Sequence, residues 1–154
     1  MIRLAPILLC LLAFGLAACG GDDAPSREEF ADRADEICRQ AERSLQGVGE
    51  DAETPEEIAD AVDRVIEESR NAVDDLADLE RPEGDAGETA EEFVNATRSE
   101  IQDEAIPALE DLRDAIESED QQAAQEAAQR LQGISTEASR SAARELGAPG
   151  CAEE

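Results

Sequence analysis

The side chains able to do chemistry in this chain are four cysteines and forty carboxylates, with no histidine among 154 residues. The cysteines are Cys10, Cys19, Cys38 and Cys151, and Cys19 closes the run Leu16-Ala17-Ala18-Cys19-Gly20 at the end of a short apolar stretch. Every one of the thirteen basic residues is arginine, and tyrosine and tryptophan are absent. The commonest general base and every Schiff-base amine are therefore missing, as are the large aromatic platforms that stack on sugars and bases. Two carboxylates can serve as a glycosidase pair, but with forty of them adjacency carries no information. No cofactor and no enzymatic activity are expected.

The apolar stretch runs from Leu4 to Ala18, broken only by Pro6 and Gly15, and Arg3 precedes it. It is shorter than the ~20 residues a spanning helix needs, and small residues before Cys19 suit a processing site. The segment resembles a bacterial lipoprotein signal. Such a lipobox is cut by signal peptidase II ahead of the cysteine, here after Ala18, and the cysteine carries a thioether-linked diacylglycerol, with a third chain on its amine in many bacteria. The resemblance implies that residues 1–18 are a cleaved signal peptide and that Cys19 is the lipidated N-terminus. It places the chain on the extracytoplasmic face of the cell membrane, with the lipid bilayer as its partner through acylated Cys19. Multiple acyl chains hold stably where one binds only marginally. Residues 19–25 are then a tether, and Gly20 to Pro25 reaches at most ~20 Å.

Charge narrows the partners further. The formal net charge is −27, and loss of residues 1–18 removes one arginine and no acid. Nucleic acid is excluded because neutralising phosphates takes clustered cations, and direct docking on anionic lipid is disfavoured in the same way. A basic ligand or envelope protein fits this charge, as do divalent cations.

Folding is not guaranteed by composition, since Leu, Ile, Val and Phe make up only about 15% of residues 19–154, a level associated with disorder at high net charge. Periodicity points the other way. Ile58, Val62, Val65, Ser69, Ala72, Leu76 and Leu79 step by threes and fours, one seam of a helix. Thr54-Pro55-Glu56-Glu57 opens that helix with a capping box and a proline at its first turn, and Arg81-Pro82 closes it. Ser26-Arg27-Glu28-Glu29 is a second capping box, ahead of a face made by Phe30, Ala34, Ile37, Ala41, Ser44 and Val48. A third helix is predicted from near Gly87 to Ile116, burying Phe93, Val94, Ile101, Leu109, Leu112 and Ile116, with Pro107 kinking it. The fourth starts at Ser118 or Asp120, presents Ala124, Ala127, Leu131, Ile134, Ala138 and Ala142, and ends at Gly147. The expected fold is all-α: an antiparallel four-helix bundle over residues 26–154.

Alanine-rich seams bury little area, so the core should be thin. With Cys10 removed and Cys19 lipidated, Cys38 and Cys151 remain, and in an oxidising compartment they are expected to form a disulfide joining the first helix to the C-terminal tail. Closing a loop of that length removes about 4.8 kcal/mol of unfolded-state entropy. A redox role is disfavoured, because no Cys-x-x-Cys spacing and no neighbouring His or Lys lowers a thiol pKa. The spacing from Phe30 to Ile37-Cys38, with Leu146 to Cys151 at the other end, is similar to that of small two-cysteine helical lipoproteins of high-GC Gram-positive bacteria.

The carboxylates themselves gather in sequence at the helix connections. Asp74, Asp78, Glu83 and Asp85 straddle the second one and are the candidates for a divalent cation, although no calcium-loop motif occurs. The bland reading is a solvated face, supported by Asp35 to Arg39, Asp60 to Arg64 and Glu126 to Arg130 at i, i+4 spacing. The chain is thus expected to be a non-enzymatic interaction or structural module of the cell envelope, with an acidic divalent-cation buffer or sensor as the alternative.

Overall fold

The computed structural model describes residues 24–153. They form α1 (Arg27–Leu45), α2 (Pro55–Asp78), α3 (Asp85–Arg98), a π-helical segment (Ser99–Ala105), α4 (Ile106–Glu117), α5 (Gln121–Gln132), α6 (Glu137–Leu146) and a 3-10 turn (Pro149–Cys151), with no strand among the described residues. None of these helices is long and apolar enough to cross a membrane.

Helix starts follow the local chemistry. Ser26 and Glu29 exchange hydrogen bonds in a complete capping box, and so do Thr54 and Glu57, with Pro55 in the first turn of α2. Asp120 caps α5 by accepting from the backbone N–H groups of Gln122 and Ala123. The third helix starts two residues before Gly87, at Asp85. Gly87 sits where a Cβ would lie 2.2 Å from the Pro82 carbonyl oxygen, so only glycine lets this turn close. At the other end, Gly147 adopts a left-handed conformation (φ 90°) that stops α6.

Two predicted helices differ in detail. Pro107, which has no N–H to give to the preceding turn, follows directly on the widened π segment, and the chain stays helical from Asp85 to Glu117. The fourth helix is divided at residues 133–136 into α5 and α6. Gly133, Ser135 and Thr136 are poor helix formers, the last two because their hydroxyls compete for the backbone. The break resets the register: Ala138, expected inside, is exposed, and Ser139 is buried instead.

Two apolar clusters result. The larger gathers Phe30 and Ala34 of α1, Leu76 of α2, Ala90, Phe93 and Val94 of α3, and Ala142, Ala143 and Leu146 of α6. The smaller holds Val62 and Ile66 of α2 with Ile106 of α4, flanked by half-buried Ile101, Leu109, Leu112 and Ile116. On α2 the buried line is Ala59, Val62, Ile66, Val73 and Leu76, turned from the predicted seam because the helix packs on α1 at one side and on α3, the π segment and α4 at the other. Ile58, at the start of the predicted seam, is 39% exposed. Helix α6 packs on α3 and α1, whereas α5 packs mainly on α4.

Polar side chains tie these layers together. Glu100, buried in the π segment, accepts from the Ser139 hydroxyl at 2.5 Å and the Ser139 backbone N–H at 3.3 Å, fixing the start of α6. Arg81 donates to the carbonyls of Leu76, Ala77 and Leu79, closing the C-terminus of α2, and lies over the Phe30 ring at 5.6 Å. Burial lowers the Arg81 pKa, with Glu91 opposing the effect.

Phe93 is 1% exposed at the centre of the larger cluster. Phe93→Ala is expected to cost about 3–5 kcal/mol, and Ile58→Ala under about 1 kcal/mol because its side chain is already partly in water; urea unfolding of the oxidised protein measures both. The Glu29 carboxyl is held below its ordinary 4.5 by the Ser26 backbone N–H and then its hydroxyl, and that of Glu57 by the N–H groups of Glu53 and Thr54 and the Thr54 hydroxyl. Each capping carboxylate therefore contributes stability above the unfolded value near 4.5 and loses it as pH falls through the lower folded value. Stability profiles of Glu29→Gln and Glu57→Gln should converge on the wild-type curve only as pH falls below the lowered folded value of each carboxyl; a constant offset down to pH 2 would show that the caps act without their charge.

Candidate functional site

The two cysteines among the described residues meet as expected. Cys38 and Cys151 are disulfide-bonded with Cα atoms 5.3 Å apart, across a sequence separation of 113. Beside them Asp35, only 7% exposed, accepts from the Gly150 backbone N–H at 2.6 Å and pairs with Arg39 at 2.7 Å. A Cβ on Gly150 would lie 3.0 Å from the Asp35 carboxylate and 3.1 Å from the Arg39 guanidinium. The Asp35–Arg39 pair therefore does more than solvate a helix face: it grips the backbone of the C-terminal tail. Sequence spacing showed the pair but not the tail it holds, because that contact joins residues 115 positions apart.

Other arginines bridge acidic helices. Arg70 of α2 pairs with Glu110 of α4 at 2.7 Å, Arg113 of α4 with Asp63 of α2 at 2.9 Å, and Arg130 of α5 with Asp111 of α4 at 2.5 Å. The Arg113 pKa is raised by its hydrogen bonds to Asp114 and Asp63. The partner of Arg130 is thus on the neighbouring helix rather than at Glu126, four residues before it. Exposed pairs of this kind contribute little each, but they relieve repulsion along helix contacts that would otherwise face acid with acid.

The cation candidates do not converge. Asp74 and Asp78 are exposed on α2, Glu83 lies in the connection and Asp85 is exposed in the first turn of α3, where carboxylates suit the helix dipole. Asp74 accepts instead from the Gln102 side-chain amide at 3.4 Å. Among the described residues no group of three Cys, Asp or Glu side chains is placed to hold a metal ion. Leu16, Ala17, Ala18 and Cys19, the processing and lipidation residues, lie outside the described residues.

A surface groove lies between α2 on one side and the end of α1 with the loop after it on the other. One part, about 470 Å³, lies between Ser44–Ala52 and the first turns of α2; the next, about 350 Å³, is bounded by Ile37, Gln40 and Ala41 of α1 and Glu68, Ala72 and Asp75 of α2. Ser44 borders both parts, so they adjoin. Glu57, Asp60, Glu68 and Asp75 of α2 border this groove, and nothing in the sequence showed that α1 leaves that side of α2 open.

The described residues define an all-helical, disulfide-bonded acidic domain. Comparison with known protein families, curated proteins and solved structures finds no match for the chain.

With its carboxylates dispersed, the oxidised protein should show the same rise in unfolding temperature in calcium, magnesium and sodium salts at equal ionic strength. A further rise specific to micromolar-to-millimolar calcium or magnesium would show that carboxylates converge on the ion in solution.

Proposed function

We propose that the chain is a lipid-anchored, non-enzymatic interaction module held on the extracytoplasmic face of the cell membrane, where its acidic surface meets a basic envelope partner. The observation that carries this reading is Leu16-Ala17-Ala18-Cys19 followed within eight residues by the first turn of a folded domain at Arg27. The Cys38–Cys151 bond supports it, because disulfides persist in oxidising compartments outside the cytoplasm. The absence of histidine and lysine supports binding over catalysis.

The proposed arrangement is an antiparallel bundle of four helical stretches, α1, α2, α3 to α4, and α5 to α6. The neighbour pairs α1 with α2, α2 with α4, α3 with α6 and α4 with α5 support it, as do the short connections between them. The π segment before Pro107 is where the third stretch would take up a bend. The Arg27 guanidinium donates to the Leu146 carbonyl at 3.2 Å, so the start of α1 and the end of α6 share one end of the bundle. With a tether of at most ~20 Å, that end faces the membrane.

Expression of the full chain in a bacterium with lipoprotein processing, followed by fractionation and mass spectrometry, tests the anchor. The wild-type chain should be found in the membrane fraction, beginning at Cys19 and carrying the mass of diacylglycerol, and Cys19→Ala should be neither cut after Ala18 nor acylated. An unacylated wild-type chain, or one cut elsewhere, would overturn the proposal.

A further inference from the structure

We infer that the groove between the C-terminal half of α1 and α2 is a docking site for a cationic amphipathic helix of another polypeptide. The inference rests on the interaction-module reading and names its surface and its class of partner.

The groove exists because α1 is packed only in part. The residues α1 gives to the larger cluster all lie at or before Cys38, and the smaller cluster draws only on α2, the π segment and α4. Beyond Cys38, Ala41 and Leu45 of α1 and Val48 of the turn after it are only half-buried. Across from it, Ala61 and Ala72 of α2 are half-buried as well. Alanines on both walls let a third helix approach closely.

The rims are acidic. On the side of α1 and the loop after it the rim is Gln40, Ser44, Gln46 and Asp51; on α2 it carries Glu57, Asp60, Glu68, Asp74 and Asp75, with Arg64 as its one cation. From Glu57 to Asp75 the carboxylates run along ~27 Å of helix at 1.5 Å per residue. A partner helix alongside shares that rise, so arginines or lysines spaced three, eight and seven residues apart meet Glu57, Asp60, Glu68 and Asp75 in turn, while its apolar seam covers the floor. That is the helix-in-groove mode of recognition with electrostatic steering added. A metal ion fits poorly, since no three acids converge among the described residues, and a small polyamine would leave the apolar floor in water.

The test is a titration of the mature lipoprotein, held in zwitterionic nanodiscs with empty discs as the blank. The probe is a fluorescein-labelled 20-residue helical peptide with an alanine-leucine seam and arginines along one edge. Binding should be micromolar in low salt and weaken at least tenfold in the triple variant Asp60→Asn, Glu68→Gln, Asp75→Asn, and equally with Ala72→Arg, whose side chain occupies the floor. The charge-matched control Glu92→Gln, Asp103→Asn, Glu104→Gln, altered at exposed sites on α3 and the π segment, should bind within twofold of wild type. Circular dichroism verifies that each variant keeps its helices. Equal weakening in the control, undiminished binding of a peptide whose seam is replaced by glutamine, or no binding would each overturn the inference. The anchor is read separately by fractionation, and photo-crosslinking from other faces in native envelopes would still report an interaction module whose contact lies elsewhere.

Discussion

The grip of the C-terminal tail on the first helix is the constraint on which the rest of this fold depends. A chain with a net charge of −27 and little Leu, Ile, Val or Phe has weak means of collapsing, and its best-packed region forms around Phe30 and Phe93. That region closes only because residues near the two ends of the chain meet there. The Cys38–Cys151 bond brings the tail to α1, and the buried Asp35 carboxylate fixes it by accepting the Gly150 N–H beside Arg39. The covalent link reduces the entropy of the unfolded chain, and the hydrogen bonds set where the tail lies. Neither substitutes for the other: a carboxylate so enclosed is costly without its donors.

Away from that end the molecule is organised differently. Val62, Ile66 and Ile106 form a narrow contact between α2 and α4, and arginines cross it from both sides, Arg70 to Glu110 and Arg113 to Asp63. Arginine suits this role, since its guanidinium stays charged and forks between carboxylates; Arg113 reaches both Asp63 and Asp114. Arginines thus act partly as connectors among the acidic helices. Glu100 and Ser139 show the same economy of polar groups, a buried pair holding α6 in register where the chain has just restarted its helix.

What was legible in the sequence follows interaction range. The capping boxes at Ser26 and Thr54, the cap at Asp120 and the stop at Gly147 are decided within four residues, and each lies where local chemistry places it. The disulfide was readable because the expected signal and lipid anchor leave only Cys38 and Cys151 to pair. The face of α2 was readable to within one residue, because a seam shows which positions are apolar but not which neighbour packs hardest; Ile66 and Val73 won over Val65 and Ala72 through the contacts with α3 and α4. The break at residues 133–136 was missed because alanine-rich flanks look continuous, although Gly133, Ser135 and Thr136 carried the signal. The tail contact of Asp35 and the open side of α1 were out of reach, since both depend on which distant segment is present or absent.

The uneven packing of α1 also decides how the molecule would carry load. Its first half is clamped by the disulfide and the larger cluster, while its second half lies against α2 alone among well-packed neighbours. If the chain is anchored ahead of Ser26 and held by a partner between α1 and α2, tension passes along two helices side by side, in shear, and never through α5. Helix α5, which packs on α4, then lies outside the line of force.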